Sequence, residues 1–132
     1  MSKSYHNAIY LSDPPDVIAS KVAGMITDPQ RIRINDPGNP DVCNVFEFHK
    51  VYSDKETVDR INTECRNAQI GCVECKQIMA QCLIKALEPI RRQRAHYEAR
   101  PDLVADIIAS GSLKATAVSQ QTMAEVRAAM KI

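Results

Sequence analysis

The sequence predicts an all-α fold, a bundle of about six helices joined by short connections and interrupted by one Pro/Gly-rich loop. Two observations predict it. Apolar residues recur three and four apart along most of the chain, the period of helices with one buried stripe. Capping residues and prolines fall where those runs begin and end. The 132 residues suffice for one domain with a modest core. Apolar residues make up 45% and aromatics only 5%, with no tryptophan, so that core is mostly aliphatic.

Residues 1–12 show no helical period and read as a loop. Ser12-Asp13-Pro14-Pro15-Asp16 then opens a helix: Ser12 or Asp13 caps it, proline suits its first turn, and Asp16 adds negative charge there. Val17, Ile18, Val22, Met25 and Ile26 form its stripe, and Pro29 ends it. Residues 27–41 are the loop, whose three prolines and one glycine fix turns. Arg31 and Arg33 alternate there with Ile32 and Ile34. They are candidates for a phosphate or base contact, or else a solvated or salt-bridged pair.

The segment Asp41–Tyr52 reads as the second helix, with Val42, Val45, Phe46 and His49 on one face. His49 there is expected to be a hydrogen-bonded core histidine. Lys55–Asn67 reads as the third, with Val58, Ile61 and Cys65 inward. The longest helix runs from about Cys72 to Arg100 and should bend or break at Pro89. Arg91, Arg92, Arg94 and Arg100 along it are a solvated face or an RNA-backbone patch. Pro101 opens a fifth helix with Leu103, Val104, Ile107 and Ile108 inward, Gly111-Ser112 breaks it, and a sixth follows.

Cys43, Cys65, Cys72 and Cys75 stand out in this frame. The last three form a C-x6-C-x2-C string, and Cys43 lies 22 positions before Cys65. In a helical hairpin the start of the second helix lies beside the end of the third. That places Cys43 near Cys65, and the next turn brings Cys72 and Cys75, three apart on one face. Four such thiols can hold zinc or an iron–sulfur cluster, or remain four small buried cysteines. Cys82 lies about 10 Å further along its helix, too far to share the site easily, and reads as core.

A net charge of +1 argues against a global field for nucleic acid, so any RNA contact is local. No signal peptide and no membrane-spanning run is visible, which reads as a cytoplasmic protein with reduced thiols.

Several strings together resemble one family. Met1-Ser2-Lys3-Ser4 followed by Asn7 and Ile9 resembles the signature (KMSKS-type) loop of class I aminoacyl-tRNA synthetases. TDPQRIR at 27–33, DPGNPDVCNVF at 36–46, IGCVECK at 70–76, LEPIRRQR at 87–94 and TMAEVRAAM at 122–130 resemble, in order, the C-terminal portion of bacterial tryptophanyl-tRNA synthetases. The resemblance covers essentially the whole chain.

It implies two regions: residues 1–12 as a remnant of the signature loop, and residues 13–132 as a helical tRNA anticodon-binding domain. It implies that Ser2, Lys3 and Ser4 hold the triphosphate of ATP, with Lys3 catalytic, once joined to a missing Rossmann-type catalytic domain. It implies a [4Fe–4S] cluster on Cys43, Cys65, Cys72 and Cys75, with zinc, or no metal after oxidation, as alternatives. Arg66, Asn67 and Lys76 neighbour those cysteines and join Arg31 and Arg33 as candidate RNA contacts. The expected partners are the tRNA for tryptophan and the missing domain; the chain alone is expected to be inactive and monomeric or weakly dimeric. No strand and no glycine-rich turn is visible, so no Rossmann domain is expected in this chain. A free-standing RNA- or partner-binding module with the same metal site, and a helical bundle with reduced cysteines, are the competing readings.

Overall fold

The structure, a computed structural model, describes residues 7–132. Among these residues all regular structure is helical: α1 (Pro15–Ala23), a short 3-10 turn (Pro40–Val42), α2 (Asn44–Tyr52), α3 (Lys55–Arg66), α4 (Cys72–Glu98) and α5 (Pro101–Met130). Five α-helices therefore replace the expected six. α4 runs through Pro89, and α5 runs through Gly111. Pro89 leaves a gap in the ladder of α4, and close by the Arg91 guanidinium donates to the Ile84 carbonyl at 3.0 Å. A helical glycine costs only about 1 kcal/mol against alanine, too little to end a helix by itself.

The chain divides into two compact units, with the boundary between Arg91 and Arg92 inside α4. In the first, the core is aliphatic as predicted: Ile18 and Val22 from α1, Val45 and Phe46 from α2, Ile61 from α3, and Met79, Leu83 and Leu87 from α4. Each such side chain contributes roughly 1.5–3 kcal/mol when fully buried. His49 lies among them, fully buried. Ile26 and Val42 are exposed instead. Ile26 lies beyond the end of α1, and Val42 lies in the 3-10 turn, so the 3.6-residue period has no helix to act on.

α1 has no side-chain cap. Asp13 is used otherwise: its carboxylate accepts from the Tyr10 amide at 2.8 Å and from Lys21 Nζ at 2.6 Å. Lys21 also donates to the Ala8 carbonyl at 2.8 Å, tying the loop before α1 back onto it. α3 carries a true N-cap, where the Asp54 carboxylate accepts from the Thr57 amide at 2.8 Å.

In the second unit, α5 has no buried residue. Ile107 and Ile108, expected inward, are exposed, as are Leu113, Met123 and Met130. No helix of the described residues is long and apolar enough to cross a membrane.

Candidate four-cysteine site

The hairpin of α2 and α3 closes as its sequence implies. Arg66 near the end of α3 pairs with Asp41 just before α2 at 2.7 Å. Cys43 is the N-cap residue of α2, and its carbonyl accepts the Phe46 amide at 3.0 Å. Cys65 sits in the last turn of α3. That helix ends with Ala68 in the left-handed region at φ 55. The Ala68 amide donates to Cys65 O at 3.2 Å and the Gln69 amide to Glu64 O at 2.7 Å, the paired bonds of a Schellman turn. Ile70 is then buried, Cys72 begins α4, and the Cys75 amide donates to Gly71 O at 3.0 Å.

The loop before α2 completes the site. The Gly38 amide donates to the Cys65 carbonyl at 2.9 Å. Asp28 is buried and pins both ends of this loop, its carboxylate accepting from the Gln30 amide at 2.9 Å and the Asn39 amide at 2.8 Å. Arg31 is thereby held over the cysteines. Its Nη1 lies 3.8 Å from Cys65 Sγ and 3.9 Å from Cys72 Sγ, while Nη2 donates to Ile34 O at 2.7 Å.

Two of the thiols are held in the neutral form. Burial pushes the Cys75 thiol up to about 12, and Cys43, Cys65 and Cys72 add to the rise against the pull of Arg31. Burial also raises Cys65, where Arg31 opposes and Cys43 and Cys72 add. All are free thiols. His49 closes the buried side: Nδ1 lies 2.8 Å from Ser53 Oγ, and Nε2 lies 3.3 Å from the Cys75 carbonyl and 3.6 Å from Cys75 Sγ. Burial depresses its pKa, and nearby Arg60 adds to this against the bond to Cys75. The expected hydrogen-bonded core histidine is what the fold contains. Cys82 is a partly buried core neighbour, also as expected.

Among the described residues no group of three or more His, Cys, Asp or Glu could hold a metal ion. A single zinc, with Zn–S of about 2.3 Å, would need its sulfurs within about 4 Å of one another. An iron–sulfur cluster spreads its four thiolates over several irons and tolerates wider spacing. The donor set of four cysteines suits such a cluster. The close approach of Gly38 fits it too, since a Cβ there would stand 2.5 Å from Cys65 Sγ.

The remaining candidates part company. Ser2, Lys3 and Ser4 lie outside the described residues. Lys76 donates to the Ala23 carbonyl at 2.8 Å, satisfying the end of α1. Arg66 is engaged with Asp41 and, at 3.0 Å, with Asn62. Asn67 is the C-cap of α3. Arg33 is exposed and lines a hollow of about 280 Å³ together with Arg31, Ile34, Gly71 and Cys72. In the arginine run, Arg94 pairs with Glu98 at 2.7 Å and Arg100 bonds His96 at 2.9 Å. Sequence reasoning passed over Asp28 and Gly38. The signals were present in Asp28-Pro29, a turn former, and in a glycine between Pro37 and Pro40.

The family model for tRNA synthetases class I (W and Y) matches residues 1–88. The chain belongs to this family. Within it, the chain is similar to tryptophan–tRNA ligases. The chain is 46% identical to the tryptophan–tRNA ligase of Aquifex aeolicus, over all of this chain and 34% of that protein. It is 42% identical to that of Ralstonia nicotianae, over 98% of this chain and 32% of the relative. The chain thus spans about a third of the length of the curated relatives it matches. The fold is shared with the crystal structure of tryptophanyl-tRNA synthetase from Campylobacter jejuni complexed with ADP and tryptophan, at a TM-score of 0.85 and 20% identity, over all of this chain and 41% of that one.

This family match corrects two expectations. The sequence reading leaves the class I catalytic family, with its Rossmann-type fold, outside this chain; the class I family model covers residues 1–88 of it. The same match overturns the reading of the chain as a C-terminal anticodon-binding portion, since α1 to α3 and the start of α4 fall inside the matched region. The physical reason is that the matched span is built from helices among its described residues. A search for strands and glycine-rich turns finds nothing in such a span, whatever family it belongs to.

Proposed function

We propose that this chain is part of a tryptophan–tRNA ligase, an enzyme that joins tryptophan to its tRNA at the expense of ATP, and that Cys43, Cys65, Cys72 and Cys75 hold a [4Fe–4S] cluster in it. The observation that carries the first half is the 46% identity to a tryptophan–tRNA ligase over the whole of this chain. The second half rests on four cysteines carried by the start of α2, the end of α3 and the first turn of α4, the glycine pressed against one of them and the arginine aimed at two.

The chain's own residues have three tasks in this reading. Ser2, Lys3 and Ser4 hold the triphosphate of ATP, with Lys3 stabilising charge that develops as the adenylate forms. Arg33, exposed beside the cysteines, meets the tRNA backbone, and Asn67 offers an amide nearby; Arg31, Arg66 and Lys76 shape that surface through the bonds they already make. The four cysteines hold the cluster, which when bound ties the start of α2, the end of α3 and the start of α4 together. Reactions of this class depend on positioning ATP against the amino acid, and the chain supplies about a third of the length of its relatives. Alone it is a cytoplasmic, reduced-thiol protein, monomeric or weakly associated, without ligase activity.

Two measurements test this. Chain purified without oxygen contains iron and sulfide in near-equal amounts and shows a broad visible absorption band; zinc, or no metal, overturns the cluster. The isolated chain gives no ATP–pyrophosphate exchange; turnover by it alone overturns the reading as a dependent part.

A further inference from the structure

We propose that Arg31 is the positioning and charge-balancing residue of the four-cysteine site, and that its N–H donors favour the more negative, reduced state of the cluster held there. This rests on the cluster reading above and adds a residue and a direction to it.

The geometry is particular. One nitrogen of Arg31 stands almost equally far from two sulfurs on different helices, 3.8 Å from Cys65 and 3.9 Å from Cys72. The other terminal nitrogen is fixed on the Ile34 carbonyl at 2.7 Å. Nε is buried without a partner. Among the described residues no carboxylate is ion-paired with Arg31, although the chain has 16 acidic residues. Its charge is therefore directed at sulfur. Neutral thiols are weak acceptors and a poor return for a partly buried guanidinium. Thiolates are not. The backbone of Arg31 is held as well, its amide donating to the Asp28 carbonyl at 3.3 Å, in a loop that Asp28 pins at Gln30 and Asn39.

The consequence follows from charge. A [4Fe–4S] core on four thiolates carries two net negative charges, and one electron from a chemical reductant such as dithionite makes that three. No bond breaks and no proton need move. A fixed cation with N–H groups on two ligand sulfurs stabilises the reduced form more than the oxidised one. Ligand-directed donors of this kind also hold the sulfurs in place when iron is absent.

The test is a potentiometric titration, followed by electron paramagnetic resonance, of chain reconstituted anaerobically with ferrous iron and sulfide. In Arg31→Gln the reduction equilibrium falls about tenfold, a midpoint about 59 mV more negative for a one-electron couple. Arg31→Lys, which keeps the charge but cannot bridge both sulfurs, shifts in the same direction by less. A wild-type chain that takes up no iron sinks the cluster reading and this proposal together. A wild-type chain that loads, with an unchanged midpoint in Arg31→Gln, sinks this proposal alone. Loss of the cluster from Arg31→Gln but not from Arg31→Lys supports the charge requirement, whereas equal loss from both makes Arg31 a packing residue and overturns it.

Discussion

The Gly38 amide donates to the Cys65 carbonyl at 2.9 Å, and a Cβ added at Gly38 would stand 2.5 Å from the Cys65 sulfur. Residue 38 is a glycine for want of space, not for its backbone angle. Gly38→Ala must displace Cys65 or the loop, and overpacking of this kind costs typically about 1–3 kcal/mol. Urea denaturation reads the loss of stability. Reconstituted iron per chain should fall in the same variant.

Asp28 organises the loop that carries Arg31, accepting from the amides of Gln30 and Asn39 while itself buried. Asp28→Ala strands both amides and costs about 1–3 kcal/mol. Asp28→Asn keeps one acceptor oxygen and loses less. Limited proteolysis should cut residues 28–39 faster in the alanine variant. Equal cutting rates would mean that the prolines alone hold this loop.

Ala68 ends α3 at φ 55, a conformation that suits glycine. A residue with a Cβ is disfavoured in the left-handed region by about 1–2 kcal/mol, partly offset by the lower freedom of alanine in the unfolded chain. Ala68→Gly should therefore stabilise the protein by up to about 1 kcal/mol. Thermal melting measures it, and a lowered midpoint would refute the Schellman turn.

Gly111 lies inside α5 with nothing within 4 Å of an added Cβ. Gly111→Ala replaces a poor helix former by the best one and should stabilise α5 by about 1 kcal/mol. Had the helix broken at this residue, as sequence reasoning expects, the substitution would be neutral or harmful. Circular dichroism during melting separates the two outcomes.

Acid should weaken the fold through named carboxylates. The Thr57 amide, then its hydroxyl, holds Asp54 below its ordinary 3.8. Arg66 does the same for Asp41. Burial pushes Asp13 up, but Lys21 and the Tyr10 amide outweigh it. A depressed carboxylate stabilises the fold above its unfolded pKa, and that stability is lost as pH falls through the lower folded value. Asp54→Asn should be less stable than the parent at neutral pH, and the gap should close well below pH 3.8. A gap that stays constant would show that the cap bond does not depend on charge.

Much of the fold was legible in the residues. The α2–α3 hairpin, the turn at Ile70-Gly71 and the start of α4 follow from local rules about caps and apolar spacing. The gathering of Cys43, Cys65, Cys72 and Cys75 follows from them in turn. Local rules failed where a single residue was asked to outvote a helix. Gly111 does not end its helix, because the turns on either side outweigh one flexible residue. They failed for Ile26 and Val42 because periodicity has meaning only inside the helix it assumes.

What the sequence determined alone was the helical class, the aliphatic core and the set of sulfurs, since each depends on neighbours within a turn or two. The tertiary structure decided which polar groups attend those sulfurs. Arg31 reaches residues 34 and 41 positions away, and Gly38 bonds a carbonyl 27 positions on. Such contacts depend on how a proline-rich loop is pinned by one buried aspartate. No residue-by-residue propensity carries that information, because the partners meet only after the helices have packed.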